Sequence, residues 1–205
     1  VIHDTLEELY KQCENKLLSV EDVNGMLKIK DKIVDKNFQK IFNLGNLTKG
    51  KNLIIVETAK RYIENFLKKE MKDIKEGNEI KILAVEKKFE TVIDLSEELK
   101  NIKIRGKIDR IDSVNGVTRV IDYKTGGQIK QTDLNIKQYE EIFKDKKYSN
   151  IFQLLFYCLA IEDDKKYNFP VEAGIISFRS LDSGVIKTRF QDKTNLVSHE
   201  KIKEY

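Results

Sequence analysis

Two aspartates and two lysines gather around one turn dipeptide. The stretch Ile104–Gly126 reads IRGKIDRIDSVNGVTRVIDYKTG, with runs of alternating apolar and polar residues on either side of Asn115-Gly116. Asn-Gly between such runs marks a two-residue hairpin. Counting outward from the turn puts Val114 opposite Val117, Asp112 opposite Arg119, Ile111 opposite Val120 and Asp109 opposite Asp122. Side chains alternate faces along a strand, so Lys107 and Lys124 share the face of the two aspartates. Carboxylates paired in this way stand roughly 4.5–5.5 Å apart at Cβ and repel. Two arrangements would relieve the repulsion: a divalent cation held by both acids beside Lys124, or a surface checkerboard in which the two lysines neutralise them. The other face, with Ile108, Ile121, Tyr123, Arg110 and the pair Asp112–Arg119, reads as a packed and salt-bridged surface.

The elements that must position this hairpin follow from periodicity. Ile2, Leu6, Leu9, Cys13, Leu17 and Leu18 recur at helical spacing over Ile2–Leu18. Val20–Asn43 reads as helical with a break near Gly25, and Asn43–Asn52 as a loop. A long amphipathic helix is expected from Leu53 to Ile74, burying Ile54, Ala59, Tyr62, Ile63, Phe66, Leu67 and Met71 and stopping before Gly77. The period then changes, and Glu79–Val92 reads as a strand leading into the hairpin. Gln128–Asn150 is polar and rich in Lys, a long connection expected to be mobile or to touch substrate. Ser149 is placed as the N-cap of a nearly all-apolar helix Asn150–Ile161, which Gln153 interrupts and on which Tyr157 follows one turn later. Val171–Phe178 and Val185–Phe190 read as two more strands, before a polar tail from Ser198. Helices, three strands, a helix and two strands imply a mixed sheet with helices against it.

The 205 residues suffice for one substantial core and are few for two domains, so residues 1–205 are taken as one domain. With 40% hydrophobic and 35% charged residues, the composition is that of a soluble protein. A net charge of +4 is too small to identify a nucleic-acid binder by balance alone. The Lys-rich stretches 68–75 and 144–147 read as solvated faces. Cys13 and Cys158 are isolated, so a reducing, cytoplasmic compartment is expected. The longest apolar run, Ile151–Ile161, is short of the roughly 20 residues that span a bilayer, and no membrane association is expected. The chain opens at Val1 without a Met, which reads as a piece of a longer protein.

GKIDRID (Gly106–Asp112), IDYKTG (Ile121–Gly126) and QLLFY (Gln153–Tyr157), preceded by His3, resemble the RecB-like branch of the PD-(D/E)xK nuclease superfamily. A lone D-x-K is a weak signal; four elements in this order, with two acids in hairpin register, are specific. The resemblance implies a restriction-endonuclease-like α/β fold, a mixed sheet with an antiparallel meander core flanked by helices. It implies that His3, Asp109, Asp122 and the carbonyl of Tyr123 bind Mg²⁺ or Mn²⁺, that Asp109, Asp122 and Lys124 are catalytic, and that Gln153 and Tyr157 contact nucleic acid. Glu86 is carried as a supporting group behind the ligands. The implied activity is metal-dependent hydrolysis of DNA, as the exonuclease module of a repair or recombination helicase–nuclease, with the helicase elsewhere in the parent chain or in a partner. Some members of this branch hold an iron–sulfur cluster on four cysteines; this stretch lacks such a set, and no cluster is expected. Two other readings stand beside the enzyme: an inactive module that binds DNA or scaffolds a helicase complex, and a metal-independent interaction domain whose hairpin charges merely pair.

Overall fold

The computed structural model describes residues 1–42, 49–93, 100–137, 142 and 145–204. Residues 43–48 of the loop expected over Asn43–Asn52, and 138–141, 143 and 144 of the polar connection, lie outside the described residues.

Helix α1, Ile2–Tyr10, is shorter than its apolar spacing suggests. A 3-10 turn at Lys11–Cys13 follows, and Asn15 turns the chain at φ 63°. Residues 15–18 then run along the start of the first strand: Asn15 N–H donates to the Ile82 carbonyl at 2.7 Å and Leu18 N–H to that of Ile80 at 2.7 Å. Cys13 and Leu18 are buried, as a helix would have buried them, which is why the pattern misleads, whereas Leu17 is exposed. Helix α2, Val20–Ile41, runs through Gly25 without a break. Its start is held by a capping box, in which Ser19 Oγ accepts the Asp22 N–H at 3.1 Å and Asp22 Oδ2 accepts the Ser19 N–H at 3.0 Å. Helix α3, Gly50–Lys75, buries Val56, Ala59, Ile63, Phe66, Leu67 and Glu70. The stripe is rotated from the expected one. Ile54 is 67% exposed, and Glu70 turns inward because Arg110 and Tyr10 bind its carboxylate there.

One sheet carries the rest. Strands β1 (Ile80–Ile93), β2 (Ile102–Val114), β3 (Val117–Lys124), β4 (Val171–Ser177) and β5 (Val185–Lys187) neighbour one another in that order, and β6 (Leu196–Val197) pairs with β4. The β2–β3 hairpin turns at Asn115 (φ 52°) and Gly116 (φ 86°), two positive φ values in succession, as a type I′ turn requires. Its register is the one counted from sequence, through Val114–Val117 and Asp112–Arg119 to Arg110–Ile121. Along its other edge, from Arg119 to Lys124, β3 lies parallel to β4, a pairing that needs a crossover. Helix α4, Ser149–Ile161, lies within that crossover, and α5, His199–Glu204, closes the chain. Six strands, mostly antiparallel with one parallel pair and flanked by helices, are consistent with a restriction-endonuclease-like fold.

Several boundaries differ from expectation. Ser149 begins α4, while Tyr148 holds the N-cap position without a capping side chain. The connection before it is docked where it is described: Leu134, Ile136, Ile142 and Tyr148 are buried against α4 and the sheet, so it is anchored by side chains that its Lys content masks. Strand β5 stops at Lys187: Thr188 N–H still donates to the Ala173 carbonyl of β4, but Arg189 N–H turns to that of Leu134. Among the described residues no helix is long and apolar enough to cross a membrane.

The sheet divides two cores. On one side α1, α2 and α3 pack on Ile80, Ile82, Val85, Ile121 and Tyr123; on the other α4 packs on Ile111, Val120, Ala173 and Ile175. Ile108 belongs to the α4 side rather than to the Tyr123 side. Alternation fails here because Glu86, between the pairs Val85–Arg110 and Lys87–Ile108, takes a left-handed φ of 48° and disturbs the strand opposite Asp109.

Candidate active site

The site forms where β2 and β3 part. Tyr123 N–H donates to Asp109 Oδ2 at 2.7 Å, so a carboxylate takes the place of a ladder carbonyl just past the last paired residues. The start of α1 lies over this gap. His3 Nε2 stands 3.1 Å from the Tyr123 carbonyl and 3.4 Å from Asp109 Oδ2. On β3, Lys124 Nζ lies 2.9 Å from Asp122 Oδ2 and donates to Gln153 Oε1 on α4 at 2.9 Å. Gln153 Nε2 in turn donates to the Tyr157 hydroxyl at 2.6 Å. His3, Asp109, Tyr123, Asp122, Lys124, Gln153 and Tyr157 therefore form one continuous constellation from α1 across the hairpin to α4.

Lys107 does not join the aspartates. It pairs with Glu86, a carboxylate buried in β1. The charges therefore sort into Lys107 with Glu86 and Lys124 with Asp122, leaving Asp109 with an imidazole and a backbone N–H. Lys124 pairs with Asp122 as the checkerboard would have it, but not on the surface, since Asp122 is only 3% exposed. Burial pushes the Asp109 carboxyl up to about 6; Asp122 and Glu86 add to the rise, while His3 and the Tyr123 N–H oppose it. Asp122 is likewise raised, by burial against the pull of Lys124. Burial, with Asp122 adding, takes the Tyr157 phenol up to about 12, so it is a neutral hydrogen-bonding group at neutral pH.

The face expected to be a salt-bridged surface is an interior ionic network. Arg110 and Asp112 are wholly buried. The Arg110 guanidinium contacts Asp112 Oδ2 at 2.6 Å and Glu70 Oε1 at 2.7 Å, lies over the Tyr10 ring and reaches the Tyr123 hydroxyl at 3.5 Å. Tyr10 O–H donates to Glu70, and Arg119 grips Asp112 through two bonds of 2.7 and 2.8 Å. Burial alone would raise the Asp112 carboxyl; Arg119 and Arg110 overcome it and hold the group below its usual range. The network ties α1 and α3 to the strand whose Tyr123 backbone serves both His3 and Asp109. Sequence reasoning missed Glu70, although its spacing from Ile63, Phe66 and Leu67 places it on the inward stripe.

Gly106 has a steric reason. A Cβ there would strike the ring of Phe89, its partner across β1 and β2. That ring lies over the glycine and packs edge-on to Tyr157 with centroids 6.0 Å apart.

The donors at the gap are carboxylate and carbonyl oxygens with one imidazole nitrogen, a set suited to a hard divalent cation such as Mg²⁺ or Mn²⁺. The chemistry of the donors fits; their present arrangement is internally paired. Asp122 is turned onto Lys124, and among the described residues no three His, Cys, Asp or Glu side chains gather into a metal-holding group.

A family model described as the PD-(D/E)XK nuclease superfamily matches residues 1–204. No curated protein matches the chain.

Proposed function

The chain belongs to the PD-(D/E)XK nuclease superfamily, and we propose that it is a metal-dependent nuclease hydrolysing DNA phosphodiester bonds, as the exonuclease module of a RecB-like helicase–nuclease. The observation that carries this reading is the placement of His3 Nε2 3.1 Å from the Tyr123 carbonyl and 3.4 Å from Asp109 Oδ2, beside the Asp122–Lys124 pair.

In this reading His3, Asp109, Asp122 and the Tyr123 carbonyl hold Mg²⁺ or Mn²⁺. A bound divalent ion neutralises phosphate charge and lowers the pKa of water. The chain's own part is positioning. The Tyr123 N–H fixes Asp109, and the Arg110 network fixes the Tyr123 ring from behind. Lys124 presents an ammonium to the anionic phosphate or to the attacking water, with Gln153 and Tyr157 holding it toward α4. Glu86 neutralises Lys107 and so keeps a second ammonium off Asp109.

The inactive DNA-binding or scaffolding alternative rests on a single observation, that Asp122 is occupied by Lys124. Incubation with labelled linear and circular DNA, each with Mg²⁺, Mn²⁺ or chelator, separates the two. Cleavage of linear DNA alone, abolished by chelator, supports the exonuclease. Retention of both DNAs without cleavage supports the alternative.

A further inference from the structure

Strand β4 buries a row of residues against α4: Val171, Ala173 and Ile175, all apolar and all in one core cluster. The next residue on that face is Ser177, wholly buried, and its Oγ has no hydrogen-bond partner. A buried hydroxyl without a partner costs stability, and an apolar row would be served better by alanine. The position of the serine is what distinguishes it. In the parallel register Ile175 pairs with Asp122 and Ser177 pairs with Lys124, and paired residues on adjacent strands face the same side of a sheet. The two strands are locked there by the Phe178 N–H, which donates to the Lys124 carbonyl at 2.9 Å.

An ammonium has three donors. Lys124 donates one to Gln153 and pairs with Asp122 Oδ2 at 2.9 Å as an ion contact, which leaves at least one. A spare donor and a spare acceptor thus occupy paired positions at the edge of the site. We propose that Ser177 is a further positioning residue, whose hydroxyl accepts the third N–H of Lys124 and keeps the ammonium in place when Asp122 is engaged by metal. The inference rests on the nuclease reading and adds to it a residue from a strand that carries none of the motif positions.

Ser177→Ala, Ser177→Thr and the parent are compared in three measurements: melting temperature, cleavage of labelled linear DNA with Mg²⁺, and the NMR signal of the Lys124 ammonium with and without Mg²⁺. Removing an unpartnered hydroxyl leaves the melting temperature of Ser177→Ala equal to or above that of the parent. Its kcat falls about tenfold to a hundredfold with KM unchanged, the scale of one hydrogen bond to a charged group. Ser177→Thr, which keeps the hydroxyl, recovers the rate. The Lys124 signal shifts in Ser177→Ala in at least one of the two metal conditions. Parent-like cleavage with an unmoved ammonium signal overturns the proposal, as does a matched loss of melting temperature and rate. A parent that cleaves no DNA refutes the nuclease reading instead, and the ammonium signal then decides the Ser177 contact alone.

Discussion

Asp109 accepts the backbone N–H of Tyr123 at 2.7 Å, so the carboxylate at the heart of the candidate site also closes the hairpin where its ladder ends. A group in this position serves two demands. As a charged acceptor it makes a strong bond to the N–H. As a buried acid beside Asp122 and Glu86 it resists ionising.

The second demand fixes a pH dependence. The Asp109 carboxyl holds its proton more tightly folded, at about 6, than at the ordinary value of 3.8. Its contribution to stability is therefore complete below pH 3.8 and lost as pH rises through about 6. Asp109→Asn cannot ionise and still offers a carbonyl to Tyr123. Without added metal, its melting temperature should exceed that of the parent at pH 7.5, with the gap closing toward pH 4. A variant less stable than the parent at pH 7.5 would mean that the charge is needed by the fold.

The Arg110 network is expected to behave as an interior ion cluster. Arg110→Met strands Glu70 beside a half-satisfied Asp112, and urea denaturation should show a loss of about 3–5 kcal/mol. Replacing Glu70 as well, by leucine, should recover part of it, because the stranded charge is gone. A single variant that loses less than about 1 kcal/mol would remove the network from the account of how α1 and α3 are held.

Gln153→Ala removes the acceptor of Lys124 and the donor to Tyr157, both near the edge of the protein interior. Cleavage or DNA binding should fall more than stability does. Equal losses in both assays would make the residue a core hydrogen-bonding group and nothing more.

At Gly106 the expected effect is steric. Gly106→Ala drives the Phe89 ring from its place, at a cost of about 1–3 kcal/mol, typical of overpacking. Since that ring packs on Tyr157, Phe89→Leu in the alanine background should restore most of the lost stability. Failure of that rescue would place the strain in the backbone of β2.

The hairpin was legible because two local signals agree: Asn115-Gly116 demands one turn type, and alternation on both sides sets the register. Counting put Asp109 opposite Asp122; the paired register ends one step short, at Arg110–Ile121, and Asp109 accepts the Tyr123 N–H instead. Gln153 and Tyr157 stood out as polar groups on an apolar helix; Gln153 meets Lys124, and Tyr157 meets Gln153. What failed was non-local. The spacing of Cys13, Leu17 and Leu18 suits a helix, yet backbone bonds to Ile80 and Ile82 draw the segment into an edge pairing. Lys107 shares a strand face with Asp109 by parity, but Glu86 at a left-handed φ offers it another partner. Arg110 and Asp112 read as a packed, salt-bridged surface; the Asp112–Arg119 pair is there, but it is interior because Glu70, from α3, meets Arg110. Ser177 lies on a strand whose parallel alignment with β3 depends on the crossover, and nothing local marks it.

The most direct test of the site is the rate of cleavage of labelled linear DNA at saturating Mn²⁺ by the parent and by Asp122→Asn, with folding of both verified by thermal melting. A metal-dependent site built on His3, Asp109, Asp122 and Lys124 requires that the parent cut, that chelator stop it, and that the variant fall by at least about a hundredfold while melting no lower than the metal-free parent. Cleavage by Asp122→Asn at the parental rate, or a folded parent inert in Mn²⁺, would contradict it.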